Sequence, residues 1–199
     1  ELIIKGKVSI NRGEHDDAFE IRTETKGNEI KVFSTLPDKD KLPKRILIKR
    51  GDQEYYFKTD NYNSPEVQKF LEENGGDYAY MNNGVIIEVE LEVYIPQNIA
   101  TTIDAKYGLV EVKSCKAPLT IIAKYGGADI TVPIQGISEL SAHTHYGEIL
   151  TNLTEKPVVS EFEKGNKHNS ETEIIYKVGS GNMVSVNSKY GKVFLRREQ

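Results

Sequence analysis

The sequence predicts an all-β protein. Its C-terminal half reads as a β-solenoid or β-roll of about five two-strand rungs, continuous with an N-terminal β-rich region that carries one short helix. Three observations predict this. The dipeptide Tyr-Gly returns at Tyr107-Gly108, Tyr125-Gly126, Tyr146-Gly147 and Tyr190-Gly191, preceded by Ala-Lys, Ala-Lys, Thr-His and Ser-Lys. A corner residue that recurs about every twenty positions marks a repeat architecture. Apolar or small side chains also alternate on both sides of each corner, the signal of strands with one buried face. The long gap before Gly191 keeps the same phase at Lys164-Gly165, so it reads as a rung that has lost its tyrosine and enlarged its corner.

Taken in order, the N-terminal region (1–84) shows a hairpin over 19–33 turning at Lys26-Gly27-Asn28, and a loop over 36–44 containing Pro37 and Pro43. A second hairpin over 45–58 turns at Gly51-Asp52. Ser64-Pro65 reads as an N-cap and a first helical position, and Gly75-Gly76 as the stop, so a helix is expected near 65–74. After a turn at Asn82-Asn83-Gly84, a long strand carries Ile87, Val89, Leu91 and Val93 on one face and Glu88, Glu90 and Glu92 on the other.

In the repeat region (85–199) the inward parity before each tyrosine is held by Ile103 and Ala105, Leu119 to Ala123, Leu140 to Thr144, and Val184 to Ser188. The tyrosines share that parity. They are therefore expected to stack inward as a structural ladder, with glycine supplying a positive φ at each corner. Truncating one such buried ring to alanine would cost on the order of 3 kcal/mol. Parity alone also fits an antiparallel meander. Tyr-Gly is not a favoured hairpin dipeptide, however, and a repeated corner makes most sense when the corners stack.

The totals restrict function. With 199 residues, 38% hydrophobic and 28% charged, the chain can bury a core. A net charge of −4 argues against a nucleic-acid partner, and no apolar run reaches the length of a membrane span. Cys115 stands alone, so neither an intrachain disulfide nor a cysteine zinc site is expected. The chain opens on Glu1 rather than Met, which reads as a mature fragment with a leader or anchor upstream.

Candidate chemistry is sparse. His143 and His145 share an outward strand face, but zinc needs three or four ligands, and Lys106, Lys124 and Lys189 at matching positions oppose a cation. Glu88, Glu90 and Glu92 splay along a strand instead of converging as calcium ligands do. Glu111 and Asp129 form an outward acid pair, on a face too short and too mixed for a sugar-cleaving groove. No catalytic residue, metal or cofactor is expected. The candidate binding surface is the outward column Lys106, Lys124, His143, His145 and Lys189, together with the polar tip Asn166, Lys167, His168 and Asn169 beyond the enlarged corner at Gly165.

The run Val93-Tyr94-Ile95-Pro96-Gln97, the Ala-Lys-Tyr-Gly-Leu-Val-Glu-Val repeat and the ending Asn187-Ser188-Lys189-Tyr190-Gly191 resemble the bacterial "putative adhesin" β-strand-repeat family, head-GIN-like domains of unknown function. The resemblance covers about 85–197. It implies a β-solenoid, export to the bacterial cell envelope, and no catalytic residues. A non-enzymatic adhesin-like or scaffolding protein is the function it suggests, with an envelope protein or a glycan as partner. A carbohydrate-binding or carbohydrate-active β-helix protein, and an accessory sensor domain in envelope signalling, are the alternatives.

Overall fold

Strand follows strand along nearly the whole chain. The computed structural model describes residues 1–76, 78–162 and 171–198. The described residues hold seventeen β-strands and one α-helix, in two units, Leu2–Tyr94 and Ile95 onward. The class is all-β.

In the N-terminal unit β1 (Ile3–Ile10) opens the chain, and β2 (Glu20–Lys26) and β3 (Glu29–Thr35) form the first expected hairpin. β4 (Arg45–Arg50) and β5 (Gln53–Phe57) form the second, turning at Gly51-Asp52. Helix α1 (Pro65–Asn74) starts at the expected proline, but the Ser64 hydroxyl makes no capping bond; the Ser64 carbonyl accepts from the Gln68 N–H. α1 packs Val67 and Phe70 on Ile46, Ile48, Tyr55 and Phe57. Asn82-Asn83-Gly84 is not a turn. It belongs to β6 (Tyr80–Gly84), which pairs with β4, because a strand edge was open there. β7 (Ile87–Tyr94) pairs antiparallel with β1 along its whole length. Its apolar row stays exposed at Ile87, Val89 and Val93, so alternation marked the strand without marking a buried face.

A polar clasp holds the 11–16 turn to this unit. Asn11 is fully buried at φ 51°. Its side-chain amide donates to the Pro43 carbonyl (2.8 Å) and its oxygen accepts the Ile86 N–H (2.9 Å). Glu14 pairs with Arg45 (2.8 Å) and accepts from the Tyr56 hydroxyl (2.7 Å). These bonds from Arg45 and Tyr56 hold the Glu14 carboxyl down at about 2, and burial with the Glu14 bond pushes the Tyr56 phenol up to about 12.

The repeat unit contains β8 (Thr101–Tyr107), β9 (Val110–Val112), β10 (Leu119–Tyr125), β11 (Ala128–Val132), β12 (Ile137–Thr144) and β13 (Ile149–Thr151). It continues with β14 (Val159–Phe162), β15 (Thr172–Lys177), β16 (Asn182–Ser188) and β17 (Val193–Arg197). Each Tyr-Gly repeat sends its first strand to a six-stranded sheet and its second to a four-stranded sheet. The repeats pair in parallel, which rules out the meander.

The order is not that of the sequence. It runs β14-β15-β12-β16-β10-β8 in one sheet and β13-β17-β11-β9 in the other, so the last repeat lies between the second and third. Asn182 fixes the insertion: its N–H donates to the Gly136 carbonyl (2.9 Å) and its side-chain amide to the Lys116 carbonyl (2.9 Å). The inward parity is as expected. Leu119, Ile121, Leu140, Ala142, Val184 and Val186 meet Ala128, Ile130, Val132, Val193 and Leu195 in a closed core.

The expected fourth rung is corrected. β14 and β15 pair antiparallel with each other inside the six-stranded sheet, Val159 opposite Ile175 and Phe162 opposite Thr172, and β15 pairs antiparallel with β12. A hairpin shows the same alternation as a rung, so the sequence pattern did not separate them. Val158, just before β14, is exposed.

Glycine at the corners is required for a reason other than the expected one. Gly108 alone among the four has a positive φ (84°). A Cβ on Gly126 would fall on the Gly108 carbonyl, one on Gly191 on the Gly126 carbonyl, and one on Gly147 on the Gly191 carbonyl. The corners touch backbone to backbone. Gly191→Ala is accordingly expected to cost about 3 kcal/mol by overpacking, and Gly108→Ala, whose side is open, about 1 kcal/mol from its backbone angle alone. Denaturant unfolding of the two variants checks this ranking.

The clasp yields a pH prediction. The folded state binds the Glu14 proton more weakly than the unfolded state does. The stabilisation is therefore complete above the ordinary value of 4.5 and is lost as pH falls toward 2. The difference in melting temperature between wild type and Glu14→Gln should shrink across that window and stay constant above it.

Candidate functional site

The four corner tyrosines leave the core and build an exposed ladder. Tyr107, Tyr125, Tyr190 and Tyr146 stack in that order, with ring centroids 5.3, 5.4 and 5.1 Å apart and planes within 18°, 3° and 11° of parallel. They are 68, 48, 45 and 40% exposed, so the expectation of inward rings fails while that of a stack holds. The glycine backbones fill the inside of each corner and leave no room there for a ring.

Hydroxyls finish the corner. The Gly147 N–H donates to Thr144 Oγ1 (3.0 Å), and that hydroxyl reaches the Gly191 carbonyl (3.3 Å). The Gly191 N–H donates to Ser188 Oγ (3.0 Å), which reaches the Gly126 carbonyl (3.2 Å). Both side chains are fully buried, and each links its own corner to the next repeat in space. The rings outside thus stand on a rigid support.

Lysines complete the surface. Lys106, Lys124 and Lys189 place their ammonium groups 5.3, 5.2 and 5.4 Å from the ring centres of Tyr107, Tyr125 and Tyr190. Such exposed cation–π contacts are worth about 0.5–1 kcal/mol each. His145 takes the fourth position, edge-on to Tyr146 at 4.0 Å, with its Nδ1 2.6 Å from Glu171 Oε1. A cleft of about 320 Å³ opens here, lined by His145, Tyr146, Asn187, Ser188 and Lys189.

The structure thus brings Lys106, Lys124, Lys189 and His145 into one row. His143 lies two strand positions away from that row, opposite Asn187 and Glu173. Gly165, Asn166, Lys167, His168 and Asn169 lie outside the described residues. Sequence reasoning put lysine and tyrosine on opposite faces because neighbours in a strand alternate. The recurring Lys-Tyr pair was the available signal, and at a corner the alternation no longer separates the two side chains. Among the described residues no three His, Cys, Asp or Glu side chains converge as a metal site would require. No helix among them is long and apolar enough to cross a membrane.

No family model matches the chain, and no curated protein matches it. Among solved structures it is similar to the crystal structure of a putative cell adhesion protein from Clostridium sporogenes. The identity is 14%, over 98% of this chain and 83% of that one, with a TM-score of 0.41.

The position of each ring in the ladder sets its energetic weight. Tyr190→Ala removes two stacked contacts and is expected to cost about 2 kcal/mol, against about 1 kcal/mol for the terminal Tyr107→Ala. Equal losses in chemical denaturation would contradict the stacked order.

Proposed function

We propose that the chain is a non-enzymatic, adhesin-like or scaffolding module of the bacterial cell envelope, with its repeats coiled as a two-sided β-roll. The observation that carries this reading is the Tyr–Lys ladder. The side chains that recur with the repeat lie outside the core, ordered to a fixed spacing on paired strands. Tyrosines held this way give a large amphipathic contact area with little ordering cost on binding, as in other recognition surfaces. A rigid scaffold beneath such groups supports binding without turnover. The sequence resemblance adds export and an envelope location.

A carbohydrate-binding role is the second reading, favoured by the cleft beside His145 and Lys189, whose lining offers polar and apolar surface side by side. Both readings make the ladder face the contact surface. Incubation with isolated bacterial envelope fragments followed by sedimentation tests it. Wild type should co-sediment, and Lys124→Gln combined with Tyr190→Ser should lower the bound fraction roughly tenfold, as loss of a central anchor cluster does. Equal retention of the two proteins would contradict the assignment of this face.

A further inference from the structure

We infer that the chain pairs with a second copy of itself through the free edge of β8, antiparallel about a two-fold axis at Ala105. The inference concerns the end of the repeat stack and does not depend on what the ladder binds.

The stack stops abruptly at that end. β8 and β9 are the edges of their sheets, and among the described residues no strand pairs with either on its outer side. Ile103, Val110 and Val112 point into the core but are only partly buried. Their register partners one repeat on, Ile121, Ala128 and Ile130, are fully buried. A Cβ on Gly108 would meet nothing within 4 Å, whereas the other three corners are each filled by a neighbouring carbonyl.

The edge is left fit to pair. β8 keeps an unbroken register with β10 and has no proline, bulge or inward charge, the devices that blunt a free edge. The Thr101 N–H is directed to the Pro118 carbonyl on the β10 side. Bonding direction alternates along a strand, so Thr102, Asp104 and Lys106 present their N–H and C=O groups to the free side.

The charges select both partner and register. Asp104 and Lys106 are exposed on the outer face, and neither has an ion pair among the described residues. Across β10, Asp104 lies opposite Ile122 and Lys106 lies beside Lys124. Antiparallel pairing centred on Ala105 sets Asp104 opposite the partner's Lys106, and Lys106 opposite the partner's Asp104. Moving the centre by one residue, the smallest slip that keeps the faces matched, sets Asp104 on the partner's Asp104 or Lys106 on the partner's Lys106. Unlike charges directly opposed stabilise a ladder, and like charges weaken it. A matching strand must read Asp-x-Lys in its own direction, and a second copy does so by symmetry. β9, three residues long with one charge, Glu111, sets no register of its own.

Analytical ultracentrifugation of the wild type and three charge variants tests the inference. Wild type should form a dimer at micromolar concentration. Asp104→Lys and Lys106→Asp each oppose like charges at both contacts, and each should weaken the dimer roughly tenfold. The double reversal restores both pairs and should return the wild-type affinity. In a Cys115→Ala background, Ala105→Cys should crosslink to its own copy, because that pair falls within disulfide reach. The inference is overturned by a wild type that stays monomeric, by growth beyond a dimer, or by single reversals that dimerise as wild type does. A double reversal that stays weakened, or a dimer that does not crosslink at 105, overturns it equally.

Discussion

Everything in the repeat unit depends on how closely the corner backbones approach one another. The carbonyl of Gly108 occupies the space where a side chain of Gly126 would begin; Gly126 does the same to Gly191, and Gly191 to Gly147. That contact fixes one spatial order for the corners, and the flanking residues inherit it. The rings of Tyr107, Tyr125, Tyr190 and Tyr146 are pushed outside the corner and align because the glycines beneath them align. The lysines lie against the rings for the same reason. A core constraint thereby produces a surface pattern.

The insertion of the last repeat makes this constraint global. β16 bonds to β10 on one side and β12 on the other, and β17 does likewise with β11 and β13. The second and third repeats therefore share no strand ladder until residues far along the chain arrive between them. In a simple repeat stack each unit is supported by its neighbours in sequence. Here the support is non-local, which raises contact order and predisposes the unit to slow, all-or-none assembly. Thr144 and Ser188 act as pins: each hydroxyl bonds the corner of the next repeat in space.

Much of this fold was legible in the sequence. Alternation located β10, β12 and β16 and named their inward residues, because a strand with one buried face leaves a period-two trace whatever its neighbours. Gly27 and Gly51 marked their hairpins, and Pro65 the helix start. Strand order was hidden, since permuting equivalent repeats changes neither period nor parity. One trace of it was present: the repeats with a hydroxyl two residues before tyrosine, Thr144 and Ser188, are neighbours in space, while Ala105 and Ala123 mark the other two. The outward swing of the tyrosines was hidden for another reason. Parity gives a direction along the strand, not the room available at its end.

Crosslinking the strand faces tests the inserted order most directly. In a Cys115→Ala background, Ile122→Cys with Asn187→Cys places two outward thiols on adjacent strands, whereas Ile122→Cys with His143→Cys separates them by a strand. Only the first pair meets the reach of a disulfide. Rapid oxidation of the 122–187 pair with no crosslink at 122–143 is the predicted result. Crosslinking at 122–143 with none at 122–187 would show repeats stacked in sequence order and contradict the account.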